Sequence, residues 1–375
     1  FLRQVLDMEW AGTTLTSAGE DNFPISAQLL LLASSHGNVA SIELIMDQTS
    51  FYSATPDAIR KLANFADPLP GHLFRRPVHE AAVKGHLQAV ELLVHQYGAD
   101  INASDSSGYL LLHIATKLGN VELTQWLISN GAVTACSSAF QPIHTCKNAR
   151  VLQLLLDSGD DPNALGEDDV TPLHIASMAN RVDCIEALLN SGAKVNACTD
   201  KNETPAIFAI RSGCADALEL LLAHGANIEE TPSRGKSALY FLLAPEMRNT
   251  RPAVARSDTH IIKLLVNAGC CVNTAVQNPI RRPLHLACDA DNVEAATALL
   301  EEGADPTLYD SHGFAAVHFA ATKSAAALRI LHKCGHDVDL PARGLGGRTA
   351  AHIASQKDNV EALRVLIELG ADVGR

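Results

Sequence analysis

The sequence predicts an all-α repeat fold, a solenoid of helix-loop-helix units joined by β-hairpin-like finger loops, with about nine to ten units. Three observations carry this. A short motif recurs, written "RRPVHEAA", "YLLLHIAT", "VTPLHIAS", "RRPLHLAC" and "RTAAHIAS" in its clearer copies. Its central column holds His79, His113, His144, His174, Ile207, Tyr240, His285, His318 and His352, spaced by 34, 31, 30, 33, 33, 45, 33 and 34 residues. A glycine column (Gly98, Gly131, Gly159, Gly192, Gly225, Gly269, Gly303, Gly335, Gly370) follows an apolar run with the same period. Two independent columns sharing one period near 33 mark internal duplication.

The unit from Thr171 to Ala197 justifies each element in turn. Thr171 suits an N-cap, and Pro172 suits the first helical position, where its missing N–H needs no partner. Leu173 and Ala176 then share one helix face. A loop around Asn180 reverses the chain, and Ile185, Leu188 and Leu189 mark the apolar face of a second helix. Gly192 ends that helix in a left-handed conformation, and "AKVNACTDKN" forms the extended finger. Neither helix is long enough to stand alone, so neighbouring units must supply the burial. The small column Ala81, Ala115, Ala176, Ala209, Ala287, Ala320 and Ala354 lets paired helices approach closely.

Taken along the chain, 22–48 reads as a degenerate first copy with Leu31 in the histidine column, and 49–70 as an insertion. In that insertion Thr55 and Pro56 start a helix that carries Ile59, Leu62 and Phe65. It is expected to cap the N-terminal end, because an outermost repeat otherwise exposes apolar surface; lying across the groove is the alternative. Repeats then occupy 71–104, 105–135, 136–165, 166–198, 199–231, 232–276, 277–309, 310–343 and 344–375. The copy at 136–165 has 15 residues between its histidine and glycine where the clearest have 18, a loss expected at the inter-helix loop. The copy at 232–276 carries an insertion over 244–257, expected to protrude.

Bulk properties narrow the function classes. The chain has 375 residues, 47% hydrophobic and 19% charged, enough apolar material for a core. A net charge of -13 argues against general attraction to nucleic acid or anionic lipid. Nine scattered cysteines form no C-x-x-C pair, and no apolar run approaches the roughly 20 residues that span a bilayer. A cytoplasmic or nuclear, reducing setting is expected, as is a monomer that is part of a longer polypeptide.

The period of about 33 and the T-P-L-H-x-A signature resemble the ankyrin repeat, best at Thr171, Thr204 and Arg282 and covering Gly71 to Ala371. The resemblance implies that His79, His113, His144, His174, His285, His318 and His352 are structural, bridging backbone groups. Geometry agrees, since a repeating column forms a ladder, whereas metal binding and acid–base work need convergence on one point. It also implies hydroxylation as an option for Asn102, Asn163, Asn196 and Asn273. No phosphate-loop, H-E-x-x-H or G-x-S-x-G motif is present, and "GLGGRT" (344–349) reads as a finger turn. No catalytic residue, metal or cofactor is expected.

The resemblance further implies a non-enzymatic protein-interaction scaffold, with a partner segment on the concave face and finger tips. The positions that match are Tyr109, Lys117, Phe140, Met178, Arg211, Arg234, Lys236, Arg281, Arg282 and Phe314, alongside Val170 and Glu203. From Arg234 to Arg282 eight Lys/Arg face two Asp/Glu, which suits an acidic or phosphorylated partner; a solvated loop is the alternative. Changing Arg281 and Arg282 together to Glu is expected to weaken such a partner and leave thermal unfolding nearly unaltered. A regulatory or targeting module of a larger enzyme, channel or receptor is the second reading.

Overall fold

The computed structural model describes residues 25–53, 56–66, 76–105, 107–134, 141–228, 237–244, 258–275, 280–343 and 346–372. Among them every regular element is helical, and extended pairing is limited to isolated bridges such as Ser104 with Leu110. Phe140, Arg234, Lys236 and residues 245–257 of the expected protruding insertion lie outside the described residues.

The chain divides into two compact units, Phe1–Glu167 and Asp168–Arg375. In the first, helix pairs run Ile25–Ser35 with Val39–Ser53, Pro77–Val83 with Leu87–His95, Leu111–Leu118 with Val121–Ser129, and Pro142–Thr145 with Ala149–Asp157. In the second they run Pro172–Met178 with Val182–Asn190, Pro205–Ser212 with Ala215–Ala223, and Ala238–Leu243 with Asp258–Asn267. Pro283–Asp289 with Val293–Glu301, Ala316–Lys323 with Ala325–Lys333, and Ala350–Gln356 with Val360–Glu368 complete it. Within each unit first helices pack on first helices and second on second, so each has two helical layers.

The core lies between the layers. Ala81, Ala115, Ala209, Ala287, Ala320 and Ala354 are fully buried, and Ala176 nearly so. Ile185 and Leu188, then Leu218 and Leu221, then Ala296 and Leu299 close the other side. Fully burying one such Leu or Ile contributes about 1.5–3 kcal/mol, and a helix of seven to nine residues has little other support. Gly192, at φ 89°, ends Val182–Asn190 where a Cβ would be strained. Several second helices begin on an asparagine: the Oδ1 of Asn120, Asn292 and Asn359 accepts the N–H of Leu123, Ala295 and Ala362 at 3.0, 3.0 and 3.1 Å.

Two elements depart from the regular unit. Val39–Ser53 extends to 15 residues, since "DQTSFYS" offers no glycine to stop it. Pro142–Thr145 has only four, so the shortened copy loses its turn from the first helix; the expectation that the inter-helix loop is shortened is corrected. Cys146 leaves helical geometry at ψ 128°, and Asn148 opens the second helix by accepting the Arg150 N–H at 2.8 Å. Pro56–Ala63 packs on Val39–Ser53 and brings Asn64 to the next turn. There Asn64 Oδ1 accepts the Asp100 N–H (2.8 Å) and its Nδ2 donates to Gly98 O (3.1 Å).

The fingers are narrow hairpins closed by Asp105 N–H to Tyr109 O (2.9 Å), Thr199 N–H to Glu203 O (3.1 Å) and Asp310 N–H to Phe314 O (2.8 Å). Buried Asp105 and Asp310 organise their tips, each Oδ1 accepting two backbone N–H groups. Adjacent fingers are stitched by Asp200 N–H to Asp168 O, Ser311 N–H to Ile280 O and Arg343 N–H to Gly313 O.

Candidate functional site

The histidine column belongs to the frame of each repeat. In every histidine copy, Nδ1 accepts the N–H of the residue three positions earlier, from Arg76 to His79 (3.3 Å) through Leu110 to His113 (3.0 Å) to Ala315 to His318 (2.9 Å). Gln141, Thr171, Arg282 and Thr349 do the same for His144, His174, His285 and His352. An imidazole that accepts at Nδ1 carries its hydrogen on Nε2. That Nε2 donates to a carbonyl in the following finger: Ala103 for His79, Ala164 for His144, Glu203 for His174 and Leu308 for His285, at 2.9–3.1 Å. Burial lowers His174 and His285 to about 4 and lowers His318, so these rings are neutral near pH 7. The rings of His79, His144, His174 and His285 each tie one helix start to the next finger, and among the described residues no group of three His, Cys, Asp or Glu could hold a metal ion.

Tyr109, Lys117, Arg211 and Arg281, among the candidate partner-binding residues, each pair with a residue eight positions away, across the angle between finger base and first helix. Tyr109 lies under Lys117 Nζ at 5.9 Å from the ring centroid. Glu203 accepts from Arg211 Nη1 at 2.7 Å. Arg281 Nη1 meets Asp289 Oδ2 at 3.1 Å, and Arg348 Nη1 donates to Gln356 Oε1 at 3.2 Å. Tyr109 also meets His113 edge-on at 5.3 Å, and Phe314 meets His318 and Phe319 at 5.7 and 6.1 Å. Met178 is half-buried at the end of its first helix. These braces could have been found as a chemical match between the two positions, but a single repeat hides them because the pair type changes each time.

The basic run from Arg234 to Arg282 does not form one open patch among its described members. Lys263 faces Glu301 at 3.9 Å on the second-helix layer. Arg282 Nη1 donates to Tyr309 O at 2.5 Å, and Arg281 lies over the Phe319 ring at 4.8 Å besides pairing with Asp289. Arg281 thus reaches the next repeat at Phe319, and Arg282 holds the finger that ends its own repeat. The expectation that their replacement leaves unfolding unaltered is corrected.

Comparison with known proteins follows the same outline. A family described as ankyrin repeats (3 copies) matches 139–232, ankyrin repeats (many copies) matches 78–128, and a single ankyrin repeat matches 281–311 and 346–375. The chain is similar to the B-cell lymphoma 3 protein homolog of Mus musculus, 36% identical over 102 residues, which covers 26% of this chain and 23% of that protein. It is also similar to protein phosphatase 1 regulatory subunit 27 of Homo sapiens, 47% identical over 55 residues, 15% of this chain and 35% of the relative. The crystal structure of the human ASB11 ankyrin repeat domain aligns with TM-score 0.49 at 22% identity, covering 70% of this chain and 98% of that one. The chain thus spans well under half the length of these curated relatives.

Proposed function

The chain belongs to the ankyrin-repeat family, and from that premise we propose that it is a non-enzymatic protein-interaction scaffold holding a partner segment along its first-helix face and finger tips. The observation that carries this reading is the set of braces Tyr109–Lys117, Glu203–Arg211, Arg281–Asp289 and Arg348–Gln356. They hold long side chains in place before a partner arrives, so less conformational entropy is lost on binding. Aromatic rings and arginines of this kind are the usual anchors of protein interfaces. The histidines serve the frame, and His79, His144, His174 and His285 are each committed to two backbone groups.

We place the protein in a reducing intracellular compartment, which accords with exposed thiols at Cys198, Cys271 and Cys334. No helix among the described residues is long and apolar enough to cross a membrane. A regulatory or targeting module of a larger enzyme, channel or receptor would use the same face, and its mark would be a change in that larger protein's activity when the face is occupied.

Photocrosslinking tests the scaffold reading. A crosslinking amino acid at Met178 or Lys117, on first helices, should capture a protein partner from native extract, and one at Glu186 or Glu219, on second helices, should not. Capture from the second-helix positions alone, or from none, would overturn it.

A further inference from the structure

The two layers of Asp168–Arg375 carry different charge. Its second helices hold nine carboxylates and four Lys/Arg. Its first helices hold one carboxylate, Asp289, and two cations, Arg211 and Lys323. Among the helices of this unit the carboxylates therefore lie mainly in the second layer, while the fingers carry further acids such as Asp168, Asp200, Glu203 and Asp305.

The first-helix layer has a further imbalance in its last three repeats. Asp289 holds two cations from adjacent repeats, Arg281 Nη1 on Oδ2 and Lys323 Nζ on Oδ1, each at 3.1 Å. One negative charge thus answers two positive ones. In the following repeat Arg348 Nη1 donates to the neutral amide oxygen of Gln356 at 3.2 Å, and among the described residues no carboxylate pairs with it. Phe319 fixes the Arg281 guanidinium plane from below, and Phe314 stands 6.1 Å from Phe319. The result is a row of cations beside aromatic rings, pre-positioned by bonds that use only part of each cation's donor set.

We propose that this row, Arg281, Lys323 and Arg348 with Phe314 beside them, seats an acidic peptide segment of the protein partner. The proposal rests on the scaffold reading and names the chemistry of its occupant. Carboxylates of the segment take the unused donors of the three cations, and an apolar residue between them covers Phe314. Asp289 plays two parts, aligning Arg281 and Lys323 while also competing with the ligand for them.

The test is fluorescence anisotropy with the full chain at low salt. The probe is a fluorescein-labelled twelve-residue peptide of alternating glutamate and leucine, with its glutamine counterpart as control. The glutamate peptide should bind and the glutamine one should not. Lys323→Glu and Arg348→Glu should each weaken binding by roughly 3- to 10-fold, and Asp289→Asn should tighten it by removing the competitor. Arg329→Glu, on the second-helix layer, should leave it unchanged. Equal binding by wild type, Lys323→Glu and Arg348→Glu would overturn the proposal, as would weaker binding by Asp289→Asn with its thermal transition intact. Tighter binding of a phosphoserine peptide of equal charge, or of a single-stranded oligonucleotide, would overturn the assignment to carboxylates. A partner captured at Met178 that is indifferent to Arg348→Glu and to the glutamate peptide would overturn this proposal alone. Peptide binding with no capture anywhere on the first-helix face would instead remove the scaffold reading.

Discussion

Replacing His174 by glutamine should flatten the pH dependence of stability. His174 is fully buried, accepts the Thr171 N–H at 3.1 Å and the Thr171 hydroxyl at 2.8 Å, and donates to Glu203 O at 3.0 Å. Burial lowers it from 6.5 to about 4. The unfolded chain therefore takes up the proton first. The stabilisation is complete above pH 6.5, is lost as pH falls towards 4, and changes no further below. A tenfold difference in proton affinity between folded and unfolded chain is about 1.4 kcal/mol, so the loss between pH 7 and pH 5 is about 2 kcal/mol for this one ring. Glutamine keeps an acceptor and a donor but cannot titrate. His174→Gln should lose roughly 1–3 kcal/mol at pH 7 through poorer geometry. Wild type should then lose about 2 kcal/mol more than the variant on moving to pH 5. Urea unfolding followed by circular dichroism at both pH values reads that difference, and other titrating groups cancel between the two proteins. Repeat arrays need not unfold in one step, so imidazole NMR titration of the folded protein is the companion measurement. Equal pH dependence in the two proteins, or a His174 signal that titrates near pH 6.5, would refute the reasoning.

Other substitutions test the frame. Gly313→Ala adds a Cβ against the Arg343 carbonyl at φ 80°, whereas Gly346→Ala, at φ 67°, meets open space. The second should cost about 1–2 kcal/mol from backbone strain and the first clearly more, as read by thermal melting. Ala287→Leu overfills a fully buried helix contact and should cost roughly 1–3 kcal/mol, seen as a lower urea midpoint. Arg281 and Arg282 changed together to Glu should lower the melting temperature, since Tyr309 O loses its donor and Asp289 meets a like charge; an unchanged transition would contradict the structure.

The repeat was legible because its signals are local. Pro172 starts a helix, Gly192 ends one, and Ala176 marks a close approach, each from its own backbone requirement. What joins repeats was harder to read, because the partners lie about thirty residues apart. Nothing local to His174 shows that its Nε2 reaches Glu203 O, or that Asn64 stands at the turn holding Gly98. The short copy misled because its spacing gives the size of the deletion but not its place, and Pro142–Thr145 absorbed it. Of the cation row, the sequence supplied Arg281 and the neighbouring Phe314 but neither Lys323 nor Arg348, and none of the pairings. Arg281 and Arg282 read as free charge because Tyr309 and Phe319 reach them only in the folded stack, and because Asp289 pairs with Arg281 across the turn from finger base to first helix.

Hydrogen–deuterium exchange on the chain with and without its captured partner tests the central claim most directly. The account predicts added protection in first helices and finger bases, such as Pro205–Ser212 and Ala316–Lys323, with Ala215–Ala223 and Ala325–Lys333 unchanged. Protection centred on those second helices, with the first-helix face unaffected, would contradict it.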